Sequence, residues 1–582
     1  MNDFISIIKK DLLDVIDILI NKNIINQSFN KDSLSIDYLS KSKQGDVSTN
    51  LFILLNSQLN KKNYDLRKNI HKNIINFEYV RKVEITKVGF INIFFEEDFL
   101  IKNLYLILSH PNNYGNNVSG NNDKINIEFV SANPTGPLHI AHIRGAVLGD
   151  VLASILQATG HKITREYYIN DAGSQINILG NSLYKRYQQI FGVKIKISPE
   201  EYPGEYLIHI AQLIADSDND KWLKSEEVER KKYFERFAIK ELVRSIKLDL
   251  KSINISFDQI TYESIIVENK VIDKVFAILK DKDLLYEGFL EKPKGDDSTN
   301  WKPRKQLLFK SSNFADDCDR PFKKVSGEWT YFANDAAYHY DKYIRNYSHL
   351  INIWGADHIG YINRMKYLTE VISDNPNYLE VHICQIVRLI KDNNFLKMSK
   401  REGNFITLNE IVKKVGKDPL RYFMISSKSE TPMDFDMDKV IEKNKDNPVF
   451  YCQYAYARAS SVINKSKTFK EFKNFKNKFN EFDYSLLSKY EWEIILKLLS
   501  WPYLLNQTSH FKQPHRITNY LEDLSSSFHS FWNKGKEDQS LRMLDLENKE
   551  KTLTKLLWIE SLRIVMKRAF SIIGIDAYEN ID

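Results

Sequence analysis

The chain has 582 residues, of which 43% are hydrophobic and 27% charged, with 83 Lys and Arg against 76 Asp and Glu for a net charge of +7. This balance sits near the average of globular proteins and excludes disordered and collagen-like chains. The modest positive charge permits a polyanionic partner without demanding one. At about 150 residues per domain, the length suggests three or four domains. A chain of this size buries roughly three quarters of its unfolded surface and needs no disulfide or metal staples. Cys318, Cys384 and Cys452 lie far apart without CxxC spacing, which argues against a disulfide framework, a zinc ribbon or a redox motif and for a reduced, intracellular protein. No stretch approaches 18 uncharged apolar residues, so no membrane span is expected.

The opening segment carries Asp11, Asp14 and Asp17 within an apolar pattern. A secretory segment would not tolerate them, whereas an amphipathic helix wants them on its wet face. Residues 61–87 hold eight Lys or Arg against three Asp or Glu, a basic patch. Val83–Val88 alternates, and Gly89–Phe95 follows as a second strand, so helices on a small antiparallel sheet are expected here. Pro111–Asn122 contains six Asn and two Gly. It reads as a linker that forms turns but no core, with a domain boundary there.

Ile125–Val130 reads as a strand, broken by Ser131–Pro137. His139–Thr159 has helical apolar spacing at Ile143, Val147, Val151 and Ile155, with Gly160 as C-cap, and Lys162–Ile169 is the next strand. Strand, helix and strand in this order make a βαβ unit and predict a doubly wound parallel sheet. Residues 190–320 are charged and mostly helical and read as an insertion. A strand returns at Leu350–Trp354, and after Asp418 the pattern is helical almost to the end, as in a bundle.

Pro137–His142 lies where the first strand feeds its helix. The helix N-terminus offers unpaired N–H groups and a positive dipole end, which suits a phosphate. His139 and His142, three apart, fall on one helical face and can donate to phosphate oxygens. HxxH alone also fits an ordinary helix start. Far downstream, Phe395–Asn404 is a polar loop with Lys397 and Lys400 three apart. Such a loop can close over a triphosphate and neutralise the charge that develops on departing pyrophosphate.

Together, His139-Ile-Ala-His142 and Lys397-Met-Ser-Lys400 resemble the two signatures of class I aminoacyl-tRNA synthetases, usually written HIGH and KMSKS. Glu128-Phe-Val-Ser-Ala-Asn-Pro-Thr-Gly-Pro-Leu-His139, Tyr167–Gln175 and Trp354–His358 resemble bacterial arginyl-tRNA synthetases. Asp418-Pro-Leu-Arg421 and Asn447–Arg458 match that family's anticodon-binding bundle. The resemblance implies a Rossmann-like doubly wound catalytic core at 123–415, with the insertion at about 190–320. It further implies an α+β N-terminal additional domain at 1–115, near the tRNA elbow, and an all-α anticodon-binding domain at 418–582. Two positions depart from the pattern. Ala141 stands where the family has Gly, and its methyl is expected to weaken ATP binding. Arg401 follows Lys400 in place of Ser.

The implied reaction joins arginine to the terminal ribose of tRNA-Arg through an arginyl-adenylate, in a cytoplasmic monomer with no membrane partner. ATP carries Mg²⁺ as substrate; no tightly bound cofactor and no protein metal site are expected. His139, His142, Lys397 and Lys400 would stabilise the phosphates, with Ala141, Met398 and Ser399 also at ATP. Glu128, Ser131 and Asn133 would hold the amino-acid end of arginine. A guanidinium needs carboxylates and planar acceptors because an unpaired buried cation is costly. Tyr331 and Asp335, four apart on a helix, are expected to supply them, Asp335 as guanidinium partner and Asp357 as a second acceptor. Forked contacts of this kind disfavour lysine. For RNA, Tyr451, Tyr454 and Arg458 share one helical face, Phe90 and Asn92 mark the N-terminal domain, and Lys465–Lys478 reads as a solvated amphipathic helix. Three alternatives remain: a cysteinyl-type synthetase, which would want a cysteine cluster; a tRNA-binding paralogue without activity; and a small nucleotidyltransferase, which would not need the bundle.

Overall fold

The computed structural model describes residues 4–25, 30, 33–39, 45–57, 64–289, 304–314, 316–392, 394–396, 406–477 and 483–581. They form two compact units, one of residues 121–157 and 161–441, the other of residues 1–120, 158–160 and 442–582.

In the first unit, strand β1 (Lys124–Glu128) is buried at every position after Lys124, as befits a strand covered on both faces. It is the centre of a five-stranded parallel sheet with β2 (Lys162–Ile169), β3 (Gln259–Tyr262), β4 (His349–Gly355) and β5 (Leu379–Cys384), in the order β5-β4-β1-β2-β3. Strand order reverses between β1 and β4. The crevice at the carboxyl ends there is where doubly wound sheets bind ligands. Helix α1 (Ile140–Ala158) connects β1 to β2. It approaches the sheet so closely that a Cβ on Gly149 would overlap the Phe129 ring. Helices α2 (Glu227–Ser252), α3 (Tyr331–Ile344) and α4 (Lys417–Met424) also belong to this unit.

Two expectations need correcting. The stretch 190–320 is not wholly an insertion, because β3 within it pairs with β2. Nor is the chain helical from Asp418 onward: Met433–Asp436 pairs in parallel with Val387–Lys391, and residues up to 441 stay in this unit. Arg421, matched to the bundle, is fully buried here instead. It donates to Asp150 of α1 at 2.6 Å and to the Ile253 carbonyl at 2.7 Å.

In the second unit, Ile36–Tyr38, Val47–Thr49, Ile91–Phe95 and Val80–Ile85 form an antiparallel sheet in that order. The helix Phe4–Asn21 buries one apolar stripe from Phe4 to Leu19. Asp14 and Asp17 face water as expected, whereas Asp11 is partly buried and accepts from the Tyr79 hydroxyl at 2.7 Å. The helical part contains α5 (Pro448–Ser466), α6 (His515–Glu537) and α7 (Lys549–Ile573), the last buried on nearly all sides. The supposed linker contributes to this core. Tyr114 is buried, the Trp501 indole donates to its carbonyl at 3.3 Å, and a Cβ on Gly115 (φ +90°) would overlap that indole. Lys465–Lys478 is not a helix throughout: α5 ends at Ser466, turns follow, and Phe472 and Phe475 are buried.

Candidate active site

The carboxyl end of β1 is a strained corner. Val130 and Ser131 take φ of +69° and +37°, a region that costs side-chain-bearing residues energy and that clusters at functional sites. The bend turns the Ser131 hydroxyl back to donate to Glu128 at 2.8 Å and to accept from the Tyr168 amide at 3.1 Å. Glu128 sits in register with Asn352 of β4 and Glu166 of β2, a buried polar row across three strands. Two buried carboxylates demand cations, and the end of α3 supplies both. Lys342 meets Glu128 at 2.6 Å and Asn352 at 3.2 Å, and Arg345 meets Glu166 at 2.9 Å. Burial alone would raise the Glu166 carboxyl, but Lys342 and Arg345 outweigh it and hold that carboxyl below its usual range. Burial and the neighbouring Lys342 ammonium push His339 down to about 4, so it is neutral at physiological pH.

Beside this row lies an acidic pocket. Thr330 caps α3, accepting from the Ala333 amide, and Asp335 follows on the first turns. Asp335 accepts from the Tyr361 hydroxyl at 2.6 Å. Burial, opposed by that hydrogen bond but reinforced by Glu263 and Glu128, pushes its carboxyl up to about 7. Glu263, after β3, is 4% exposed and accepts from Asn334 at 2.8 Å; burial raises its carboxyl too. Burial, reinforced by the charges of Glu263, Asp335, Glu128 and Asp171, holds the Tyr168 phenol well above its usual range. Its ring stacks on Tyr338 at 4.0 Å. Glu263 Oε2 and the hydroxyls of Tyr168 and Tyr338 have no hydrogen-bond partner among the described residues. Buried acceptors massed in this way suit a cationic ligand with several N–H donors.

Asn133 and Tyr331 are exposed. Asn133 donates to Gln175 at 3.1 Å, and Tyr331, 64% exposed, turns its hydroxyl toward Gly173. Asp357 does not join them. It is 81% exposed and 3.5 Å from His358; the buried second carboxylate near Asp335 is Glu263. Glu263 carries no local signal in the sequence, whereas Tyr168 lies within the Tyr167–Gln175 stretch that resembles the family.

The His139 and His142 rings lie 4.0 Å apart at the start of α1, with Ala141 exposed beside them. Lys397, Met398, Ser399 and Lys400 lie outside the described residues. The residues on either side are described. The Leu396 amide donates to the Leu389 carbonyl at 2.9 Å, and the Leu408 amide donates to Leu138 at 2.8 Å, with Thr407 bridged to His139. The chain leaving the lysine loop is therefore tied to the histidine motif itself.

In the second unit, Tyr451, Tyr454 and Arg458 are partly exposed on one face of α5, while Cys452, Ala455, Tyr456 and Ala459 face the core. Arg458 lies 4.1 Å above the Tyr454 ring and 5.1 Å from that of Trp532. Phe90 is 41% exposed. Asn92 is not presented with it, being buried and bonded to Ser48 at 2.8 Å.

Comparison with known proteins agrees over the whole chain. Residues 5–95 match the arginyl tRNA synthetase N-terminal domain, 103–443 the class I (R) tRNA synthetase catalytic domain and 452–581 the DALR anticodon-binding domain. The arginine–tRNA ligase of Orientia tsutsugamushi strain Ikeda is 41% identical over 92% of this chain and 91% of its own. That of Ehrlichia chaffeensis is 36% identical over 98% and 99%. The fold resembles that of Thermus thermophilus arginyl-tRNA synthetase, with a TM-score of 0.74 and 17% identity over 99% of this chain and 100% of that one. A class I catalytic sheet, the strained β1 corner, the histidine pair and these matches lead to one conclusion: the chain belongs to the arginyl-tRNA synthetase family.

Proposed function

We propose that the protein activates L-arginine with ATP and transfers it to the 3′-terminal ribose of tRNA-Arg, releasing pyrophosphate and AMP. The observation that carries this reading is the acidic pocket around Tyr168, at the carboxyl ends of the parallel strands. Asp335 and Glu263 bind the guanidinium, with Tyr331 over the mouth. Glu128, Ser131 and Asn133 orient the amino-acid end. Asp357 takes no part.

In the first step an arginine carboxylate oxygen attacks the α-phosphorus as the bond to pyrophosphate breaks. The enzyme contributes in-line placement and charge stabilisation rather than covalent chemistry. His139 and His142 donate to phosphate oxygens at the dipole end of α1, and Lys397 and Lys400 neutralise the departing pyrophosphate. Ala141, Met398 and Ser399 pack against the nucleotide, and Mg²⁺ enters on its phosphates as part of the substrate. In the second step the terminal ribose hydroxyl attacks the adenylate carbonyl carbon and AMP leaves. Tyr451, Tyr454 and Arg458 take the anticodon loop, and Phe90 lies toward the elbow. The protein works as a cytoplasmic monomer.

The test is charging of tRNA with radiolabelled arginine, with lysine and cysteine as controls and Lys400→Ala alongside. Arginine alone is charged, and Lys400→Ala lowers the rate by at least ~10²-fold. A protein that binds tRNA yet charges no amino acid would be an RNA-binding paralogue, and this reading would be wrong.

A further inference from the structure

Asp335, His339 and Lys342 follow one another at steps of four and three residues, which places them on one face of α3. Asp335 belongs to the acidic pocket, and Lys342 pairs with Glu128. His339 lies between them and is buried. Both of its ring nitrogens are used. Nδ1 lies 2.8 Å from the Asp335 carbonyl, and Nε2 lies 3.0 Å from the Asn352 side-chain nitrogen.

These contacts leave one arrangement of hydrogens. A carbonyl only accepts, so Nδ1 carries the hydrogen of the ring. The ring is neutral, so Nε2 presents a bare lone pair and accepts from the Asn352 amide nitrogen. Asn352 Oδ1 is then turned toward Lys342, at 3.2 Å. An ammonium only donates, so Lys342 demands the same orientation of that amide from the other side. Lys342 also donates to Glu128 Oε2 at 2.6 Å, while Ser131 donates to Oε1 at 2.8 Å.

A buried histidine bonded at both nitrogens is commonly no more than a satisfied core residue. Here the bare Nε2 governs groups beyond its own contacts. Without it the Asn352 amide loses the acceptor that fixes its rotation, and its buried N–H group is left unpaired. Turned over, that amide would set a donor against the Lys342 ammonium and take away one of its two acceptors. Glu128 would then lose its fixed partner. A carboxylate has about four acceptor sites, so Glu128, engaged once at each oxygen, keeps others for an incoming ammonium.

We infer that His339 is a positioning residue: through Asn352 and Lys342 it sets the Glu128 carboxylate to receive the α-ammonium of the amino acid, without itself touching the substrate. The inference rests on reading the pocket as the arginine site, with Glu128 at the amino-acid end. It is tested in the full chain with His339→Leu, which offers no acceptor, and His339→Gln, whose side-chain oxygen can stand in for Nε2. Asn352→Leu and the double variant His339→Leu with Asn352→Leu complete the set. KM for arginine and for ATP is measured in tRNA charging, together with inhibition by desamino-arginine, which is arginine without its α-amino group.

His339→Leu raises KM for arginine at least ~10-fold, while KM for ATP and the inhibition constant of desamino-arginine stay within about twofold of the parent. His339→Gln recovers most of that loss. Asn352→Leu shows the same selective loss, so the comparison stands even if His339→Leu does not fold. The double variant is no worse than Asn352→Leu alone, as residues acting in series require. An unchanged KM for arginine in His339→Leu would overturn the inference. So would an equal loss on desamino-arginine, since His339 would then act on the pocket as a whole, and so would additive losses in the double variant. A parent that charges no arginine refutes the reading of the pocket and the inference with it. A parent that charges arginine, matched by His339→Leu, refutes the inference alone.

Discussion

The Lys342 ammonium lies 2.6 Å from the Glu128 carboxylate, the cation fully buried and the carboxylate side chain 8% exposed. Lys342 also contacts Asn352 at 3.2 Å and lies 4.5 Å from the Tyr338 ring. Its position in the last turn of α3 adds the favourable dipole end of that helix. Both groups have left water, so removing one strands the other. Lys342→Met is expected to cost about 3–5 kcal/mol in chemical denaturation. A loss below about 1 kcal/mol would mean that the pair contributes little.

Asp335 sets a pH dependence whose sign differs for binding and for folding. Its carboxyl is pushed up to about 7 in the folded protein, against 3.8 ordinarily. Guanidinium binding needs the anion, so KM for arginine falls as pH rises from 6 to 8. For folding, a raised pKa stabilises the protein fully below about pH 4, and that contribution is lost as pH rises through about 7. Asp335→Asn has no such loss. It should melt at or above the parent temperature at pH 8, the gap closing toward pH 4, while KM for arginine rises at least ~10²-fold. A variant less stable than the parent at pH 8 would contradict this account.

Ala141 is exposed on the first turn of α1, beside the two histidines. In Ala141→Gly the nucleotide gains closer approach to the backbone, and KM for ATP is expected to drop several-fold with kcat little changed. The glycine should also weaken the helix by about 0.5–1 kcal/mol. Steady-state kinetics over ATP concentration decide this, and an unchanged KM would remove Ala141 from the nucleotide site.

Arg458 lies over Tyr454 and beside Trp532, half-exposed on α5. Stacking of a base on such a platform contributes about 1–3 kcal/mol. Arg458→Ala and Tyr454→Ala are therefore expected to raise KM for tRNA ~10- to 10²-fold, with KM for arginine and ATP within about twofold. Loss of arginine affinity in either variant would point to general disruption rather than an RNA contact.

Local pattern alone located much of the catalytic unit. β1, α1 and β2 fall within two residues of the spans expected from apolar spacing, and β2 coincides with its span. Buried-strand runs and helical stripes are short-range signals, readable over ten or twenty residues. The histidine motif, Asp335 and the face of α5 were not visible on the same terms: helical spacing placed them on common faces, and only the family resemblance gave those faces a role.

Tertiary structure decided the rest. β3 has four residues with mixed burial and lies in a charged, helix-rich stretch. Only its pairing with β2 makes it a strand, and that pairing is long-range. Glu263 rather than Asp357 joins Asp335 because the end of β3 brings a distant carboxylate into the pocket. Arg421 belongs with α1 through its ion pair with Asp150, 271 residues away. Nothing in the sequence marks Lys342 as buried; the sheet places Glu128 against it. Local sequence set β1, α1 and β2, though not β3, because propensity and periodicity act between near neighbours, and the family resemblance named candidates for phosphate and guanidinium chemistry. Which charges would share a buried space was decided only by folding, since desolvation and pairing depend on residues that meet nowhere else than in the folded chain.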